Sequence, residues 1–296
     1  MKAWILAARP KTLPAAVIPV WVGAMPRLLD GDPGSGSWIL FWCTLASCLG
    51  IQIATNLFND AIDHKKGADT GDRLGPTRVT ASGLLSSRAV MRGALGFCVL
   101  AALISLPMVL ERGWPVVAIG LVSIYFAYGY TGGPFPLAYR GMGELFVILF
   151  FGFVAVLGSY FVQSGELGGG AIWILGLQCG FYSCVLIAIN NLRDIEEDRQ
   201  TEKKTLAVRF GKTFARWEIA LFCFVPVLLQ WYSLGWAMPE GLFSRIAFGA
   251  GIGAGVVIVR SVIQFEPSQR YNRFLALGAL QLLLFGLTVS LIAAGK

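Results

Sequence analysis

The chain has 296 residues, 56% of them hydrophobic and only 14% charged, with a net charge of +7. So small a charged fraction excludes an ordinary soluble domain, whose surface needs about a quarter of its residues charged. The positive balance does not signal a nucleic-acid partner, because the basic residues stand between long apolar runs, where membrane topology accounts for them.

Apolar runs of about twenty residues match the hydrocarbon core of a bilayer when helical. In chain order they fall near 12–29, 38–58, 89–110, 115–131, 142–163, 170–192, 214–236, 242–262 and 273–294. This predicts an all-α integral membrane protein, a bundle of about nine transmembrane helices forming one unit over 1–296. The first run follows Lys2, Arg9 and Lys11, but no small-x-small cleavage site precedes the second, so it reads as a retained helix. Pro115 suits the first turn of the short fourth run. Cys43, Cys48, Cys98, Cys179, Cys184 and Cys223 all lie inside the runs, without metal-finger spacing, and read as small packing residues.

Orientation follows from lysine and arginine. With the N-terminus in the cytoplasm, the outer segments hold only Arg27, Arg112, Arg245 and Lys296, leaving 20 of the 24 basic residues inside. An odd number of helices then puts the C-terminus outside. The inner loops 59–88 and 193–213 are also long and polar, as expected of a protein that works at one membrane face.

Two acidic motifs end the second and sixth runs. Asn59-x-x-x-Asp63 and Asn190-x-x-x-Asp194 share residue types and lie 131 positions apart, a weak internal repeat of parallel sense. Residues four apart share a helix face, so Asn59 and Asp63 point one way, as do Asn190, Asp194 and Asp198. Each face presents hard oxygen ligands of the kind Mg2+ takes, one or two carboxylates plus phosphate and water. Two such faces across a cavity suit a diphosphate held between metal ions. The plain alternative is a pair of solvated helix ends, which the repeat makes less economical. Lys66, Arg73, Arg78, Lys203 and Lys204 surround the acids and could grip diphosphate oxygens, or could simply follow the positive-inside bias.

On these residues the chain resembles the UbiA-type membrane prenyltransferases. Asn59-Asp60-x-x-Asp63 is similar to the family's first motif, and Asp194-x-x-x-Asp198 to its second. Within the family it is most similar to the menaquinone branch, which prenylates 1,4-dihydroxy-2-naphthoate. The likeness rests on Asn59-x-x-x-Asp63-x-x-x-Gly67-x-Asp69, on Asp72-Arg73-x-Gly75-Pro76, and on Asn190-Asn191-x-Arg193-Asp194 running into Lys204-Thr205-Leu206. Tyr130-Thr131-Gly132-Gly133-Pro134, with Tyr139 and Gly143-Glu144, completes it. The stretches Gln200-Thr201-Glu202 and Arg78-Val79-Thr80 depart from typical members. The resemblance implies that Asp60, Asp63, Asp194 and Asp198 are the catalytic acids. It implies Mg2+ held by Asn59, Asp63, Asp69, Asn190, Asp194 and Asp198. It further implies a polyprenyl diphosphate donor, an aromatic acceptor, a lipid setting and a bacterial inner membrane. Tyr130, Tyr139 and Arg140 read either as contacts to the leaving group and cation or as an interfacial belt. His64, the single histidine, reads as a loop residue or a proton acceptor beside the acids. 4-Hydroxybenzoate and homogentisate are alternative acceptors. A transporter is the rival from another class, although transporter sites lie near mid-membrane, whereas these acids gather at one face.

Overall fold

The structure is a computed structural model and describes residues 2–29, 36–67, 74–235 and 237–295. Nine apolar helices are found among the described residues, one for each apolar run. We number them α1 (Pro14–Leu28), α2 (Trp38–Lys65), α3 (Ser87–Ile104), α4 (Trp114–Gly129), α5 (Gly143–Ser164), α6 (Gly170–Arg193), α7 (Leu206–Ser233), α8 (Leu242–Gln264) and α9 (Tyr271–Ala294). Seven are long and apolar enough to cross a bilayer unaided. The α1 segment qualifies together with Lys2–Thr12, from which it is bent by 52° at the Pro10 and Pro14 turns. The 16 residues of α4 span only about 24 Å at 1.5 Å per residue, short of a roughly 30 Å hydrocarbon core. The expected nine spans are therefore seven full ones, one bent and one short.

Local sequence sets the helix ends. Ser37, Ser86 and Thr205 accept hydrogen bonds from the first-turn amides of α2, α3 and α7, satisfying donors that a helix start leaves orphaned. Pro115 occupies the first turn of α4, where its missing N–H costs nothing. Gly211 breaks α7 near its start with φ 84°, a backbone angle that L-residues resist.

Inside lipid, helix association comes from close packing rather than from apolar burial, so small residues mark the seams. A π-helical stretch, Ile148–Val154, runs through α5. There a Cβ on Gly152 would stand 2.6 Å from the Gly176 carbonyl oxygen of α6, so any side chain would force the helices apart. Large apolar side chains such as Ile39, Leu110 and Trp114 remain exposed, as a lipid-facing surface requires.

Two buried clusters support the motif-bearing ends. Ala54, Leu57, Phe58 and Ala61 of α2 pack with Val90 and Ala94 of α3 and with Val79 of the intervening loop. Ile189 and Leu192 of α6 pack with Ile195, with Ala215 and Ile219 of α7, and with Tyr271 of α9. These contacts bring both acidic helix ends to the same end of the bundle.

Candidate active site

The polar end of α2 extends well past its apolar stretch, to Lys65. Asn56 anchors it, donating to the Ala8 carbonyl at 2.9 Å and to Thr12 Oγ1 at 3.1 Å. Asn59 Oδ1 accepts from the Thr131 hydroxyl. Four residues on, Asp63 is buried. Its Oδ1 accepts from the Tyr139 hydroxyl at 2.9 Å, and its Oδ2 lies 3.3 Å from Arg78 Nη2. Each carboxylate oxygen has about two acceptor positions, so Asp63 keeps capacity for a cation while these bonds stand.

Asp60 is placed differently from the role expected of it. It is 1% exposed, and its oxygens accept from the Val79 and Thr80 amides, at 3.2 and 2.9 Å, and from the Thr80 hydroxyl. Three bonds commit this carboxylate to the loop that carries Arg78, and one position along the helix turns it by about 100° from Asn59.

The second motif turns at Asp194, where the helix of α6 ends and a short one starts at Ile195, yet its backbone bonds continue at four-residue intervals. The Asp194 amide donates to the Asn190 carbonyl at 3.0 Å and the Asp198 amide to the Asp194 carbonyl at 2.8 Å, so the three residues stack at four-residue intervals. Arg193 grips Asp194 with two bonds of 2.7 Å, from Nε and Nη2. Its Nη1 donates to Asn272 of α9 at 2.7 Å, and Asn272 in turn donates to the Leu74 carbonyl at 3.1 Å. Lys203 lies 3.5 Å from Asp198. Burial pushes the Asp198 carboxyl up to about 6, with Asp194 and Glu197 adding to the shift and Lys203 opposing it.

Tyr139 joins the two motifs. While its hydroxyl holds Asp63, its ring face carries Lys66 Nζ at 4.1 Å from the centroid and Lys203 Nζ at 5.8 Å. Lys66 also donates to the Thr131 carbonyl at 2.7 Å. Desolvation lowers its pKa and nearby Lys203 adds to this, against the pull of Asp63. Asp63, Asp198, Lys66, Arg78 and Lys203 thus gather around one tyrosine ring.

Other expected residues lie outside this gathering. Arg140 stacks on Phe135 at 3.7 Å, and its carbonyl accepts from Arg209. Arg140, Lys204 and Arg209, with Tyr139 and Met142, line an open cleft of about 550 Å³ against the Tyr139 loop. Tyr130 packs on Phe146 at 5.3 Å, towards α5. His64 is exposed. Asp69 and Arg73 lie outside the described residues. Thr131, Thr80, Arg193 and Asn272 take part without having been singled out from the sequence. Thr131 stood inside a quoted stretch, whereas Asn272 carried no signal at all.

Among the described residues no three His, Cys, Asp or Glu side chains converge as a self-sufficient metal cage. The donor set nevertheless fits Mg2+, which binds through one or two carboxylates and completes its shell with phosphate and water. Each motif offers carboxylate and amide oxygens with no soft ligand among them. The bases between them match the remaining charge of a diphosphate.

Helical spans capped at one end by facing acidic motifs, with bases and a tyrosine between them, define the class: a membrane-embedded prenyltransferase. The chain belongs to the UbiA prenyltransferase family, which matches residues 16–288. It is 36% identical over 222 residues to the 1,4-dihydroxy-2-naphthoate octaprenyltransferase of Mycobacterium tuberculosis, covering 72% of this chain and 71% of that one. To the Escherichia coli protein of the same description it is 35% identical over 223 residues, covering 73% and 70%. Its fold is similar to that of a UbiA homolog from Archaeoglobus fulgidus bound to GPP and Mg2+, with a TM-score of 0.66 at 16% identity over 97% of this chain and 99% of that one. A UbiA homolog from Aeropyrum pernix K1, in its apo form, gives 0.68 at 14% identity over 93% and 97%.

Proposed function

We propose that this chain transfers a polyprenyl group from a polyprenyl diphosphate to 1,4-dihydroxy-2-naphthoate, releasing diphosphate. The observation that carries the reading is the meeting of both acidic motifs with Lys66, Arg78 and Lys203 around Tyr139. The named relatives favour the naphthoate over 4-hydroxybenzoate or homogentisate. A transporter has no need of this gathering.

Asn59, Asp63, Asn190, Asp194 and Asp198, with Asp69, are the residues that would hold Mg2+, whose charge clamps the departing diphosphate. Lys66, Arg78 and Lys203 hold the oxygens that the metal leaves exposed. Asp60 positions Arg78 through the 79–80 amides. Heterolysis of the C–O bond sends the electron pair to diphosphate and leaves an allylic cation. The ring carbon that bears the carboxylate then donates the pair that forms the new C–C bond, and its C–COO⁻ bond breaks, releasing CO2 and returning that bonding pair to the ring. The Tyr139 ring, beside the site of heterolysis, favours positive charge on its face. Arg140 and Lys204 line the open cleft, where an anionic diphosphate enters. The chain acts as one unit over 1–296 in a bacterial inner membrane, with its N-terminus and both motif loops in the cytoplasm and its C-terminus outside.

The test is purified protein in nanodiscs with Mg2+, prenyl diphosphates of several lengths and a panel of aromatic acids, read by mass spectrometry. Prenylated, decarboxylated naphthoate is expected. Product only from benzoate acceptors would move the substrate, and no diphosphate release with any acceptor would overturn the enzyme reading.

A further inference from the structure

Glu144 belongs to neither acidic motif, yet it stands beside both. It lies in the first turn of α5 and is 4% exposed. Asn191, which directly follows Asn190 of the second motif, donates to Glu144 Oε1 at 2.6 Å. Oε2 is buried and has no hydrogen-bond partner among the described residues. Tyr130 links Glu144 to the first motif, since the next residue, Thr131, bonds Asn59. The Tyr130 hydroxyl comes within 3.1 Å of where a Cβ on Gly143 would stand.

A carboxylate in a first turn is favoured by the helix dipole. That explains an acid here but not its burial with one oxygen unsatisfied, which costs free energy. Glu218 of α7 lies within electrostatic range, but the two carboxylates are not hydrogen bonded. What would satisfy Oε2 is a donor that is neutral or positive and small enough to reach a buried wall beside the motifs. A phosphate or carboxylate is repelled there, whereas a ring hydroxyl is suited.

Building on the function proposed above, we infer that Glu144 orients the aromatic acceptor. Its Oε2 accepts a hydrogen bond from a ring hydroxyl, Asn191 fixes the carboxylate, and the acceptor's own carboxylate is turned away, towards the bases at Tyr139. A hydroxyl so held lets the ring turn its π face to the motifs, where the allylic cation forms.

The experiment compares 1,4-dihydroxy-2-naphthoate with each of its two monomethyl ethers, in wild type, Glu144→Gln, Glu144→Asp and Glu144→Ala. In wild type, blocking the hydroxyl that Glu144 holds should lower kcat/KM by about 10- to 100-fold, the scale of a hydrogen bond to a charged group. In Glu144→Gln and Glu144→Ala this discrimination should fall to within about threefold, and Glu144→Asp should restore part of it, while the KM for prenyl diphosphate stays within about threefold. For a variant without turnover, equilibrium dialysis of the diol and the ethers gives the same ratio as dissociation constants. The isosteric Glu144→Gln serves if Glu144→Ala fails to fold. A discrimination that survives in Glu144→Gln, or a prenyl diphosphate KM that moves as far as the acceptor's, would mean that Glu144 is structural or merely holds a water, and would overturn the assignment alone. A wild type that prenylates no naphthoate would overturn the functional reading and the assignment with it.

Discussion

The two acidic ends are held in opposite ways. At the first, the partners come from far along the chain: Thr131 bonds Asn59, Tyr139 bonds Asp63 across 76 positions, and the 78–80 loop encloses Asp60 and Asp63. At the second they are neighbours, with Arg193 on Asp194 and Lys203 on Asp198. The repeat in the sequence therefore repeats the acidic residues but not their support. The first face is an outcome of tertiary folding, whereas the second is nearly complete within its own segment, with Asn272 as an outside brace.

The strongest way to break the comparison is to remove the ligands themselves. Asp63→Ala and Asp194→Ala should each lower turnover by at least about a thousandfold, because the neighbouring carboxylates, Asp60 on its loop amides and Asp198 on Lys203, are held by partners of their own. Near wild-type rates at saturating magnesium in either variant would show that face to be no ligand set. Next comes Asp60. Truncation to Ala strands two buried amides and a hydroxyl, at about 1–3 kcal/mol for each unsatisfied group, so the folded state should lose about 3 kcal/mol. A melting point lowered by several degrees in detergent is expected, while exposed Glu196→Ala should leave it unchanged. An unchanged melting point in Asp60→Ala would mean that the first face does not depend on its distant loop.

The bases separate the local from the distant more finely. Lys203→Ala should cost about a hundredfold in kcat, the effect of one preorganised charge lost. Lys212, paired with exposed Glu266 and Glu196, should matter less than about threefold. Equal losses for both would mean that the bases act through bulk potential alone. The effect of pH is smaller than that of losing Lys203. Asp198 titrates near 6, so a proton competes with the cation below that value, and half-saturating magnesium should rise about tenfold per unit under pH 6. For folding the sign is reversed. A carboxyl raised from its ordinary value holds its proton more tightly in the folded state, so this group favours the fold as pH drops through that window and weighs against it above about 6. A magnesium requirement flat between pH 5 and 7 would remove Asp198 from the ligands.

The bundle was legible because lipid demands long unbroken apolar runs, and these marked all nine helices, six of them to within a few residues at both ends. Hydropathy ended the second run near 58, although backbone bonding carries α2 on to Lys65, since a helix does not stop where its side chains turn polar. The left-handed backbone at Arg9 and the break at Gly211 are invisible to hydropathy, because both lie just before an apolar run, in stretches whose composition reads as loop. At the site, four-residue spacing matches the backbone bonding from Asn190 to Asp194 and from Asp194 to Asp198. It gave no direction for Asp60, which differs from Asn59 by one position and so by a whole helix face. Arg193 looked like a topology residue because adjacent positions do not share a helix face. Only the change of backbone at Asp194 lets the guanidinium fold onto its neighbour.

The clamp of Arg193 on Asp194 bears on how the protein is made. Four carboxylates, Asp60, Asp63, Asp194 and Asp198, share this end of the bundle with four bases, Lys66, Arg78, Arg193 and Lys203. The balance leaves little mutual repulsion to be quenched before the helices can assemble. A nascent chain can therefore enter the bilayer and reach its native packing ahead of any ion, unlike small metallodomains whose collapse waits for theirs. Magnesium, scarce or plentiful, would then govern how fast the finished protein works rather than how much of it survives biogenesis.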